Sequence, residues 1–210
     1  MLQGIDIYQG SGKIDWVKVK QAGISFCFIR AAYGDRADSA ALDNLRAARA
    51  AGLVCGVYHF IRASKTEAAQ IALMKSLVES LGIGKGDLPP VIDVEDNPFY
   101  DGAWDRACNA SYLEMVKNWT QAMQARLGAP PIIYTRASFW QQLGNPKAFA
   151  DNPLWVASYR ADQPRLPDGW QQHTFWQYSE SGVVEGLRGQ YDLSYFHSAD
   201  PEALRSLALK

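Results

Sequence analysis

The sequence has almost no net charge, few cysteines or histidines and no long apolar run, and each shortage removes a class of function. Its 21 Lys and Arg residues are balanced by 22 Asp and Glu, leaving a formal net charge of −1. The clustered basic excess of a nucleic-acid binder is missing. The three cysteines, Cys27, Cys55 and Cys108, fit neither a disulfide framework nor a zinc spacing. Cys27 and Cys55 lie inside apolar runs, where a free thiol behaves as a small buried hydrophobe. The three histidines form no metal-ligand pattern, so no metal and no cofactor is expected. No apolar run reaches the ~20 residues of a membrane helix. The start, MLQGIDIYQG, lacks the basic and apolar regions of a secretory leader. The chain therefore reads as a soluble monomer with no nucleic-acid partner and no membrane insertion. If it acts outside the cytoplasm, another agent must release it.

What is present is a regular alternation of strands and helices. At 210 residues, 48% of them hydrophobic, the chain suits one barrel-sized domain over residues 1–210. Strands are expected at Leu2–Tyr8, Ile24–Ala31, Leu53–Phe60, Val91–Glu95 and Ile132–Thr135, from β-branched and aromatic runs. Between them, helices are expected at Asp15–Ala22, Ser39–Ala51, Ser64–Leu81 and Ala110–Leu127. Asp15 can cap the first, and Ser64 with Glu67 reads as a capping box on the third. The segment from Asp96 to about Cys108 reads as a loop. After a short helix at Ser138–Leu143 the pattern changes to strand-like runs at Leu154–Tyr159, Thr174–Ser179 and Gln190–Phe196. Pro201–Leu209 reads as a closing helix. The order is five strand–helix units and then three strands, an α/β barrel in which the alternation implies parallel pairing.

The chemistry-bearing signal is Asp93-Val94-Glu95. Alternate residues of a strand face one side, which puts the two carboxylates there with Cα atoms about 6.5–7 Å apart. Val91, Ile92 and Val94 surround them with apolar side chains, where an ionised carboxylate is costly. Two close carboxylates also resist ionising together, giving a protonated acid beside an ionised partner. Asp6, inside Ile5-Asp6-Ile7, and Asp192, beside Tyr191 and Leu193, occupy similar settings. In a closed barrel the first and last strands are neighbours, so these two meet, and strand C-termini build the rim used for catalysis. Aromatics gather at the same strand ends. Tyr58, Phe60, Tyr134, Trp155 and Trp176 are candidate sugar-binding residues, since rings can stack on sugar faces, although aromatics also fill cores. His59 reads as a satisfied structural histidine.

The sequence resembles glycoside hydrolase family 25, the Chalaropsis-type lysozymes, which include many phage endolysins. The matching segments are GIDIY with IDW, FIRAAYG, AGLVCGVYHF, VIDVE, PIIYT, LWVASY and WQYSESGVVEGLRGQYDLSYF, in order from residue 4 to residue 196. The resemblance implies a TIM-like (β/α)5(β)3 barrel. It also implies cleavage of the β-1,4 bond between N-acetylmuramic acid and N-acetylglucosamine in bacterial peptidoglycan glycan strands. Position by position, Glu95 matches the general acid/base and Asp93 the acid that assists the substrate's 2-acetamido group. Asp6 and Asp192 match two further active-site acids, and Tyr134 a tyrosine lining the cleft. The chain departs from the pattern at Ser11-Gly12, where Gln-Gly is common, at Tyr33, where Glu is frequent, and at Arg30, where Lys is frequent. Two alternatives stay open: a catalytically inactive sugar-binding barrel, and a chitinase-like hydrolase, whose motif usually carries an Asp at the position of Val91. Release through a holin or a secretion machine would bring the enzyme to the wall.

Overall fold

The structure is a computed structural model and describes residues 1–159 and 162–210. Its first half comprises β1 (Gln3–Ile7), α1 (Trp16–Gln21), β2 (Ile24–Tyr33), β3 (Arg36–Ala37), α2 (Ala41–Ala50), β4 (Val54–Phe60), α3 (Glu67–Ser80) and β5 (Val91–Asp93). The second half comprises α4 (Pro98–Asp101), α5 (Asn109–Leu127), β6 (Ile132–Thr135), α6 (Ala137–Gln142), β7 (Leu154–Ala157), β8 (Phe175–Gly182), β9 (Tyr191–Phe196) and α7 (Pro201–Leu207). Strands run in the order β1-β9-β8-β7-β6-β5-β4-β2-β3, and β1 also pairs with β2, which closes the barrel. The two-residue β3 is only a hairpin appended to β2.

Pairing is parallel from β1 round to β8, whereas β9 is antiparallel to both β8 and β1. The parallel pairing implied by the strand–helix alternation thus holds through the alternating units and stops at the last strand. The connection from β8 to β9 holds no helix, so the chain simply turns back, as antiparallel neighbours allow. The consequence is local but decisive: β9 begins, rather than ends, at the rim where the parallel strands finish.

Strand alternation divides the side chains into two cores. Outward residues such as Ile5, Ile7, Cys27, Ile29, Cys55, Val57, Ile92 and Val156 pack against the helices. Inward residues Phe26, Phe28, Val91, Ile132, Trp155, Phe175 and Phe196 fill the barrel. Phe28 stacks on Trp155 with centroids 4.4 Å apart and meets Phe175 edge-on at 5.1 Å. Rings this large fit only because small residues face them. A Cβ at Gly56 would lie 2.6 Å from the Phe28 ring, and one at Gly4 2.2 Å from the Phe26 ring.

Local signals held where no tertiary partner competed. The Asp15 carboxylate accepts from the Lys18 N–H and caps α1, and Gly128 takes the left-handed conformation that ends α5. The capping box expected at Ser64 and Glu67 does not form. The Ser64 hydroxyl donates to Asp101, and Glu67 accepts from Asn118, so α3 starts at Glu67 after an uncapped Thr66. The expected loop after β5 contains α4, held by Asn97, whose side chain accepts from the Tyr100 N–H. His59 is fully buried between two partners: Trp119 donates to its Nδ1 at 3.1 Å, and its Nε2 donates to the Gly34 carbonyl at 2.8 Å. Burial lowers its pKa to about 4, so it stays neutral. Cys27 and Cys55 are free, buried and side by side across β2 and β4.

Because the Phe28 ring is buried between Trp155 and Phe175, it has nowhere to retreat. Gly56→Ala should overpack the barrel by roughly 1–3 kcal/mol, lowering the melting temperature by roughly 3–10 °C. Thermal unfolding followed by circular dichroism checks this, and an unchanged midpoint would contradict the packing described.

Candidate active site

The rim at the C-terminal ends of the parallel strands encloses a cavity of ≈ 210 Å³. It is lined by Asp6, Tyr8, Arg30, Tyr58, Phe60, Asp93, Glu95, Tyr134, Trp155, Gln177 and Asp192. All four acids singled out in the sequence line it, and their routes there differ. Asp6 and Asp93 sit on inward positions near the ends of β1 and β5. Glu95 lies just beyond β5, because the backbone leaves the ladder after the Val94 N–H bonds the Tyr134 carbonyl at 2.9 Å. Asp192 stands near the start of antiparallel β9 and is the register partner of Asp6. Wider grooves of ≈ 550 Å³ and ≈ 630 Å³ open from the cavity and share Tyr8 with it.

Crowding and burial set the protonation of these groups. Burial is the largest cause of the rise in the Glu95 pKa to about 7. Arg136 opposes that rise, while the charges of Asp96 and Asp192 add to it. Arg136 itself is engaged by Asp96 in an ion pair, which blunts its pull. Asp93 is pushed well above the usual carboxylate range by burial, then by the charges of Glu95 and Asp6, against Arg30. Its Oδ1 is buried with no hydrogen-bond partner among the described residues. A buried acceptor left unpaired is costly, and a donor brought in by a ligand would relieve that cost. Asp6 is likewise raised, first by burial and then by Asp192, and burial raises Asp192 too. The cluster thus binds protons at pH values where isolated carboxylates have lost them.

Two more polar side chains line the cavity: Gln177, which the sequence reading did not name, and Arg30, which it named only as a departure from the family pattern. Gln177 is 2% exposed and donates from Nε2 to Asp6 at 2.9 Å. Its Oε1 accepts from the hydroxyls of Tyr134 and Tyr159, each at 2.7 Å, which fixes which end of the amide faces Asp6. Arg30 is anchored by buried Asp38 at 2.9 Å and lies over the Tyr8 ring, 4.5 Å from its centroid. The signal for Gln177 was strand parity: in β8, Phe175 and Gln177 alternate with Trp176 and Tyr178, and only one set can face inward.

That parity also corrects one expectation. Trp176 does not reach the cavity. It lies on the outer face of β8 beside His173, Tyr178 and Tyr195, and its indole donates to the Ser158 carbonyl at 2.8 Å. Tyr58, Phe60 and Tyr134 do line the cavity. Trp155 forms its floor: it is 2% exposed, and its N–H donates to Ser194 at 3.0 Å.

Comparison with known proteins agrees with this geometry. Residues 5–187 match the model for glycosyl hydrolases family 25. Lysozyme M1 of Streptomyces globisporus is 35% identical, over 99% of this chain and 71% of its own length. The N,O-diacetylmuramidase of Chalaropsis sp is 28% identical, over 88% of this chain and 91% of its own. A bacterial lysozyme from Streptomyces coelicolor superposes with a TM-score of 0.86 at 32% identity, covering 99% of this chain and 96% of that one. With the barrel, the acid-lined cavity and the family match in agreement, the chain belongs to glycosyl hydrolases family 25.

Proposed function

We propose that the chain hydrolyses the β-1,4 bond between N-acetylmuramic acid and N-acetylglucosamine in peptidoglycan, with Glu95 as general acid and base. The observation that carries this reading is Glu95 itself, a carboxyl on the cavity wall whose burial lifts its pKa to about 7. At neutral pH and below it holds a proton to give.

The chemistry follows from the two neighbouring acids. The substrate's 2-acetamido carbonyl oxygen attacks the anomeric carbon as the C1–O4 bond breaks, and Glu95 transfers its proton to the departing oxygen. Asp93 accepts the amide N–H through the oxygen that has no protein partner, and stabilises the positive charge the acetamido group gains. Glu95, now a carboxylate, then takes a proton from water as that water attacks C1 from the vacated face. The acetamido group is released and the anomer is retained, as in other substrate-assisted hydrolases. Asp6, held by Gln177, and its register partner Asp192 bind sugar hydroxyls on the opposite wall. Tyr58, Phe60 and Tyr134 shape the cavity, and no cofactor is needed. The enzyme acts as a monomer on the cell wall, after release through a holin or a secretion machine. No helix among the described residues is long and apolar enough to cross a membrane.

Two outcomes are expected. Wild-type digestion of purified peptidoglycan gives fragments with reducing N-acetylmuramic acid ends by mass spectrometry, whereas Glu95→Gln loses at least 10²-fold in rate. Reducing N-acetylglucosamine ends would contradict the proposed bond, and no fragments from the wild type would favour a binding module. The second outcome is a pH profile. Since the acid form of Glu95 is required and its folded-state pKa is raised, kcat/KM is available below about 7, down to the pH at which Asp93, itself raised by burial, takes up a proton. Above about 7, kcat/KM falls about tenfold per pH unit. A rate that is flat from mildly acidic to alkaline pH would contradict the role of Glu95.

A further inference from the structure

Beyond the cavity, the ≈ 630 Å³ groove runs outward past Tyr8 and Arg30; the rings of Phe60, Tyr33 and Tyr100 line it, and Phe99 stands just beyond its lining, against Tyr100. The line of rings begins at Phe60, which lines both the cavity and this groove. Tyr33 lies 5.0 Å from Phe60 by centroid, Tyr100 meets Tyr33 edge-on at 6.1 Å, and Phe99 meets Tyr100 at 4.7 Å. Exposure rises along the line: Phe60 and Tyr33 are half-buried, Tyr100 is 66% exposed and Phe99 85%. Neighbouring aromatics held this far into water at the end of a cleft are a costly arrangement for a fold to keep without a ligand.

The segment that carries them is also held in place. Asp101 ends α4 in an ion pair with Arg62 and accepts from the Ser64 hydroxyl at 2.6 Å. Asn97 donates to the Tyr33 hydroxyl, which ties the start of the same segment to β2. Arg62 lies 5.1 Å from the Tyr33 ring centroid and 5.9 Å from that of Tyr100. The Tyr33 and Tyr100 rings are therefore positioned before any ligand arrives, so little ordering entropy remains to oppose binding there. Tyr33 is also one of the positions where this chain departs from the family pattern.

We propose that Tyr33, Tyr100 and Phe99 form an outer subsite that carries the glycan strand away from the cavity, sugar faces resting on the rings and Arg62 donating to their hydroxyl or acyl oxygens. The occupant is the continuation of the substrate strand, because the groove is continuous with the cavity through Phe60, Tyr8 and Arg30. This rests on the muramidase reading, and it makes the enzyme a sensor of strand length: long strands reach the rings and short oligosaccharides do not.

The test compares a peptidoglycan tetrasaccharide with glycan strands at least twice as long. Tyr100→Ala should lower kcat/KM on the long strands about tenfold, the loss of roughly one good ring contact. The tetrasaccharide rate should stay within twofold, and Tyr100→Phe, which keeps the ring, should keep both rates. Equal losses at both lengths, or none at either, would overturn the subsite. Binding separates this from the reaction assignment. Calorimetric titration of Glu95→Gln with the long strand should give a dissociation constant that weakens about tenfold when Tyr100→Ala is added. An unchanged constant overturns the subsite alone. A strand that binds neither protein overturns the substrate reading and the subsite with it.

Discussion

Four carboxyl groups face one small cavity that the barrel shields from water, and the free energy of charging them there shapes the rest of the molecule. In solution each would ionise independently in the acidic range. On this rim burial penalises every charge, and each ionised neighbour makes the next harder to form. The protein does not neutralise the cluster with an equal number of cations. Arg30 is the cation lining the cavity, and it is shared with Asp38. Arg136 stands behind Asp96. The net effect leaves Glu95 half-protonated near neutrality, the state from which one group can serve as acid in one step and base in the next.

Holding such a cluster has structural requirements that run deep into the fold. Asp6 and Asp192 can be register partners only because β9 turns back against β1 and delivers its first residues to the rim where the parallel strands end. Gln177 fixes the orientation of Asp6 because two tyrosine hydroxyls occupy its carbonyl end. Beneath them, the ring stack of Phe28, Trp155 and Phe175 fills the barrel and closes the cavity floor to water. Glycine at positions 4 and 56 is what lets rings of that size stand inside so narrow a barrel. Packing below and acidity above are parts of one arrangement, since a loose floor would admit water and return the carboxyls to their ordinary range.

Much of this was legible in the sequence, and the parts that were not share a physical cause. Eight barrel strands, the cap at Asp15 and the paired acids at Asp93 and Glu95 follow from local pattern, and local pattern decides where nothing distant competes. Ser64 and Glu67 carried the letters of a capping box, but Asp101 and Asn118, remote in sequence, took their side chains. Trp176 and Gln177 are adjacent, so one of them had to face the cavity. Aromatic preference pointed to the tryptophan, whereas the inward phase of β8 belongs to the glutamine. The direction of β9 could not be read from its own residues, because parallel and antiparallel strands draw on the same apolar alternation. The segment after Glu95 read as a featureless loop because a four-residue helix held by distant partners leaves almost no periodic signal.

The central claim is that the buried cluster, rather than any bound substrate, keeps Glu95 protonated near neutral pH. The most direct measurement is a carbon-13 NMR titration of the resting enzyme labelled at its glutamate side-chain carboxyls, with Glu95→Gln identifying the signal. The account predicts that the Glu95 resonance titrates near pH 7 in the absence of substrate. A resonance titrating in the ordinary glutamate range, near 4.5, would contradict it and would require the acid to be made only when substrate arrives.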